Sequence, residues 1–146
     1  MAEKMSTGLC SKLMDTSPFR TIFNLGFIKI YSGAIPATAD AAITGTLITT
    51  ITNNSTATGL TWEAAAVAGV LAKKSTETWS GVNGATATAT YYRLIAVGDT
   101  GGLSTTEARI QGTIGTGAGD MNFGTTALVS GDTLPINYAT QAFVPS

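Results

Sequence analysis

The sequence predicts an all-β domain, a β-sandwich or jelly-roll-like domain, preceded by a short helical arm. Three observations carry that prediction. Short alternating or β-branched runs recur between clusters of Gly, Asn, Asp and Ser, about eight or nine of them at spacings of roughly 8–12 residues. Residues 1–26 lack this rhythm and space their apolar residues as a helix does. The sequence also shows no repeat of constant period, which sets solenoids and propellers aside. The division that follows is a helical N-terminal arm over residues 1–26 and a β-sandwich domain over 27–146.

Within the arm, TGLCSKLMD puts Leu9, Leu13 and Met14 on one side of a helix. A second short helix is predicted from TSPFRTIFNLG, with Ser17 as N-cap, Pro18 in the first helical position and Gly26 as the stop. The two meet at Asp15-Thr16, and Phe19, Ile22 and Phe23 share a face of the second. That face either lids the domain's own core or docks on a neighbouring subunit.

After Gly26 the texture changes. FIKIYSG alternates Phe27, Lys29 and Tyr31 against Ile28 and Ile30, a strand ending at Gly33. IPATADAAITG is a connection with a turn near Asp40, and TLITTITN is a β-branched strand. NNSTATG is a loop of turn formers. In GLTWEAAAVAGVLAKK the valines and Gly69 suit a helix poorly, so the prediction is strand, bulge at Ala68-Gly69, strand. ETWSGV is a short strand, and Asn83-Gly84 after it is a hairpin signal. The longest strand is expected from TATATYYRLIAV, followed by the GDTGG turn. EARIQGTIG and ALVSGDTLPINYATQAFV carry the last strands, on either side of the loop TGAGDMNFGTT.

Composition narrows the function. At 146 residues the chain is expected to be one domain that buries roughly 70% of its unfolded surface. Only 12% of residues are charged, about half the usual share, which suggests an exterior covered by other subunits, the alternative being a monomer with a Thr-rich exterior. The net charge is −1 and the only basic cluster is Lys73-Lys74, so direct nucleic-acid binding is not expected. No apolar run reaches the ~18 residues of a membrane span, and no signal-peptide pattern opens the chain. With Cys10 alone, these features predict synthesis in a reducing, cytoplasm-like compartment.

Histidine is absent, which removes the commonest general base and the commonest metal ligand. The nine acidic residues are scattered singly, so no catalytic, metal or cofactor residues are assigned and no cofactor is expected. GTIGTGAGD resembles a phosphate loop in composition, but no helix signal follows it, and no Lys occurs after Lys74. Its glycines read as a turn. Trp62, Trp79, Tyr91, Tyr92 and Tyr138 are potential stacking platforms, though aromatics more often anchor cores and interfaces. Tyr91 and Tyr92 must point to opposite faces, with one of them buried. Arg93 beside them is a candidate for an ion pair to a neighbouring subunit.

The alternating Ala and Thr of residues 85–90 would present a flat, weakly hydrated surface suited to packing in a large assembly. The phrases STGLCSKLMD, FIKIYSGAIPATADAA, ETWSGVNGATATATYYRLIAVGDTGG and RIQGTIGTGAGDMNFGTTALVSGDT resemble small virion structural proteins of tailed bacteriophages, from about Ser6 to Thr133. The resemblance is one of phrases, with no site motif to carry over. It implies a capsid decoration, or cement, protein on the virion's capsid surface, made in the bacterial host cytoplasm. Its partners would be the major capsid protein and itself, as a homodimer or homotrimer. The contact residues expected are Phe19, Ile22, Phe23 and Leu25 of the arm, with Tyr91, Tyr92 and Arg93. The competing expectations are a tail, baseplate or head–tail adaptor component, or a carbohydrate-binding module using Trp62 or Trp79.

Overall fold

The β-branched stretch Thr46–Asn53 and the alternating stretch Phe27–Ser32 form the middle of one large antiparallel sheet. A computed structural model describes residues 3–15 and 17–142. Thr16, at the predicted helix junction, and Phe143 and Val144, the tail of the last predicted strand, lie outside the described residues. In chain order the elements are β1 (Lys4–Met5), α1 (Thr7–Asp15), α2 (Phe19–Ile22), β2 (Phe27–Ser32), β3 (Thr46–Asn53), β4 (Val70–Ala72) and β5 (Trp79–Val82). There follow β6 (Ala87–Thr88), β7 (Tyr91–Ile95), β8 (Arg109–Gly115), β9 (Met121–Asn122), β10 (Ala127–Leu128), β11 (Thr133–Ile136) and β12 (Thr140–Ala142). The chain is all-β. No helix among the described residues is long and apolar enough to cross a membrane.

The main sheet runs β1-β8-β7-β2-β3-β5-β11, with β9 parallel on the end of β8. Two ribbons, β6 with β10 and β4 with β12, complete the strands. Register assigns the faces. Ile28 stands opposite Leu94 and Ile51, Leu94 opposite Ile110, and Ile30 opposite Tyr92. These side chains belong to one apolar cluster with Leu9 of α1, Phe19 and Phe23, and Leu60, Trp62 and Trp79. Between Ile30 and Tyr31 the register on β3 jumps from Thr49 to Leu47, a bulge that leaves the buried Ile48 as the extra residue.

The N-terminal segment is built into this core. Ser6 Oγ accepts the Leu9 N–H at 3.1 Å, capping α1, and accepts the Arg109 N–H at 2.9 Å. It also donates to the Glu107 carbonyl at 2.7 Å. A Cβ on Gly8 would collide with the Thr106 carbonyl, so only glycine lets the helix lie this close to the strand's approach. α2 is one turn long and starts at Phe19. Pro18 is its extended N-cap, and no side chain caps the helix, contrary to the Ser17 cap predicted. Gly26 does not stop it either: Leu25 takes the left-handed turn at φ 59°, and Gly26 pairs with Leu60.

Two turn signals resolve differently from expectation. Asn83-Gly84 makes no hairpin between β5 and β6. The Asn83 side chain donates to the Val129 carbonyl at 3.1 Å, its N–H goes to Asp132, and Gly84 N–H goes to Ile48. β5 therefore pairs with β11 and β3. The tight hairpin is at Ala68-Gly69, where a bulge was expected. Both residues have positive φ (50° and 79°), and Val67 and Val70 exchange 2.9 Å hydrogen bonds across it. The predicted longest strand is broken at Ala89-Thr90: β6 pairs with β10, and β7 enters the main sheet.

Candidate functional site

The seven predicted contact residues fall into two groups. Phe19 and Phe23 are buried in the apolar cluster, with ring centroids 4.7 Å apart. Phe19 meets Trp62 edge-on at 5.3 Å, and Trp62 meets Trp79 at 5.1 Å. This aromatic chain fastens α2 to its own domain, the lid of the two arrangements expected for that face. Ile22 is half-buried beside it, and Leu25 is the exposed member of the four. Trp62 and Trp79 are likewise buried, so neither offers the exposed stacking face that a carbohydrate module would need.

Tyr91, Tyr92 and Arg93 are all buried, a correction to the expectation that only one tyrosine would be. Both faces of β7 are covered. Tyr92 lies on the apolar face across Gly112, where an added Cβ would come within 2.8 Å of its ring. Its hydroxyl bonds to the Glu3 carboxylate. Burial, followed by the nearby Glu3 charge, pushes the Tyr92 phenol far above its ordinary range.

The opposite face carries Tyr31, Tyr91, Arg93, Arg109 and Gln111, roofed by a strap over residues 33–45. Arg93 Nη2 donates to Gln111 Oε1 at 2.6 Å and Nη1 to the Ala41 carbonyl at 3.0 Å. Its predicted intersubunit ion pair is replaced by these internal bonds. Gln111 Nε2 donates to the Pro36 carbonyl at 2.7 Å, and Lys4 Nζ to Ala37 at 2.8 Å. Arg109 grips Asp99 with both arms of its fork, Nε to Oδ2 at 2.6 Å and Nη2 to Oδ1 at 2.7 Å, fully buried. Its Nη1 reaches the Ala39 and Asp40 carbonyls at 3.3 Å. The strap's Asp40 in turn accepts Thr7 N–H and Oγ at 2.9 and 2.6 Å, at the start of α1.

Burial raises the Asp99 carboxyl, but the Arg109 and Gly101 hydrogen bonds outweigh it and hold the group below its ordinary range. Arg93 is lowered, first by burial and then by the Arg109 charge. Tyr31, stacked on Tyr91 at 5.1 Å, is pushed up to about 12, chiefly by burial. Extended strands can reach all these carbonyls only because polar side chains alternate on one face. The groups are fixed to the protein's own strap, so their chemistry is structural.

The glycine loop is also used internally. Asn122 Oδ1 accepts the N–H groups of Gly117 and Gly119 at 2.8 and 3.0 Å, and strand β9 follows. A further site, which sequence reasoning missed, is a cleft of about 720 Å³ between the β9 region and the β11–β12 connection. Glu3, Tyr92 and Asp120 line it, above apolar Leu128 and Ile136, with Tyr138 at its rim. Asp120 Oδ2 accepts Thr113 N–H and Oγ at 2.8 and 2.9 Å. Tyr138 was weighed for stacking, but Glu3 and Asp120 lie 117 residues apart in sequence (120 − 3), so no spacing rule joins them. No family model, curated protein or solved structure matches this chain.

Proposed function

We propose that the chain is a structural subunit of a tailed-phage virion that binds the outside of the head lattice as a decoration protein. The observation that carries this reading is an exterior low in charge with large apolar side chains at its projections. Charged residues make up 12% of the chain, while Met14, Val67, Leu103 and Tyr138 are each more than three-quarters exposed (86%, 76%, 79% and 81%). Such side chains are available for a partner subunit to cover on assembly. The sequence phrases that resemble virion structural proteins point the same way. In this reading the chain associates with the major capsid protein and with itself, as a dimer or trimer. Many identical contacts arrayed by lattice symmetry add up through avidity.

The contact set differs from the one drawn from sequence. Leu25 and half-buried Ile22 remain available, whereas Phe19, Phe23, Tyr91, Tyr92 and Arg93 are committed to the fold. Co-sedimentation tests the reading: purified protein is mixed with undecorated heads and, separately, with isolated tails. Saturable binding to heads, near the number of capsomer sites, is the expected result. Binding to tails alone moves the protein to a tail, baseplate or adaptor position, and binding to neither overturns a virion role.

A further inference from the structure

The 720 Å³ cleft has a one-sided chemistry. Two carboxylates, Glu3 and Asp120, line it, and none of its lining residues among the described ones is Lys or Arg. The ion pair formed among the described residues, Arg109 with Asp99, lies elsewhere, beneath the strap. Glu3 is held by Tyr92 Oη and, at 3.4 Å, by Gln141 Nε2, neutral donors that orient the carboxylate without neutralising it. Asp120 is oriented by Thr113 through Oδ2 alone; among the described residues no group donates to its Oδ1. Below the acids the floor is apolar, with Leu128 and Ile136 buried, and the Tyr138 ring stands exposed at the mouth.

A negative wall, an apolar floor and an exposed aromatic rim match one kind of group: a cation on an aliphatic stem. The stem covers the floor, the charge meets the carboxylates, and the ring face attracts the cation. We infer that this cleft receives an arginine or lysine side chain presented by a segment of a partner protein. The segment's origin in the shell rests on the decoration reading; the chemistry of the cleft does not.

The test uses the full-length purified protein and three probes, followed by NMR titration. The first is the blocked tripeptide acetyl-Leu-Arg-Leu-amide, the second its citrulline counterpart of the same shape without charge, and the third maltotriose, a neutral sugar. The arginine peptide is expected to bind saturably and to shift Tyr138 resonances, and the citrulline peptide to bind at least several-fold more weakly. Asp120→Asn keeps an acceptor for Thr113 and removes a charge; it should weaken the arginine peptide about three- to five-fold. Tyr138→Ala, at an exposed position, should weaken it about two- to five-fold. Equal binding of the two peptides, binding of maltotriose in preference, or no binding of the arginine peptide would each overturn the inference. Peptide binding with failed head co-sedimentation would instead retain the cleft and remove the decoration reading.

Discussion

The two faces of the main sheet are both buried, and they are buried by opposite means. On one, Ile28, Ile30, Leu94 and Ile110 pack against α1, α2 and the Trp62–Trp79 region. On the other, Arg93, Arg109 and Gln111 hold the carbonyls of the 33–45 strap, with Asp99 balancing one of the two guanidinium charges. Apolar burial is non-directional and tolerates repacking. A buried polar layer stands or falls with its partners, because each group left unmatched costs its desolvation. The comparison teaches that a strap of irregular backbone can roof a sheet provided the sheet supplies donors for its carbonyls.

The sharpest way to break the polar face is to orphan Asp99. Arg109→Leu should destabilise the fold by about 3–5 kcal/mol, read from denaturant unfolding. Replacing both partners with Leu should cost less than that single change; a larger loss would mean the pair is net stabilising. On the apolar face, Leu9→Ala should cost about 2–5 kcal/mol, through lost contacts and a cavity.

Acid and alkali separate the faces further. The Asp99 carboxyl is lowered in the fold, so its contribution is present above about pH 4 and disappears as pH falls through the lowered value. Tyr31 is raised to about 12, so its contribution holds below about pH 10 and is lost between the two values. The Leu9→Ala difference should stay constant across both limits, whereas the Arg109→Leu difference should shrink in acid. Equal pH dependence of the two would erase the distinction. The smallest effect is expected from Tyr91→Phe, which leaves the Gly45 N–H without its 3.2 Å acceptor at a cost of about 1 kcal/mol.

The sequence made one face far more legible than the other. Ile28 and Ile30 announce themselves by alternation, and β2, β3, β5 and β8 lie where propensity and turn residues put them. Arg93 reads as a partner for a neighbouring subunit, because charged residues are rarely buried within one chain. What receives it is the Ala41 carbonyl of the strap and the Gln111 side chain, and a backbone carbonyl is the same in every residue. The Asn83-Gly84 signal failed for a related reason: contacts with Val129 and Asp132 outweigh a local preference. Phe19 and Phe23 do enter one apolar cluster, with Phe23 as the C-cap of α2, but a helix pattern does not say whose core that face enters. The acidic cleft was illegible, since Glu3 and Asp120 meet only through the sheet's topology.

The stitching of Ser6 to Glu107 and Arg109 has a consequence for the order of events on the ribosome. β1 finds its partner, Ile110 and Gln111, only after about a hundred further residues have been made. At roughly 5–20 residues per second, that is a wait of about 5–20 seconds. Meanwhile β2 and β3, neighbours in sequence, are free to pair early. β1 is thus seated well after the β2–β3 pair, once synthesis has passed β8.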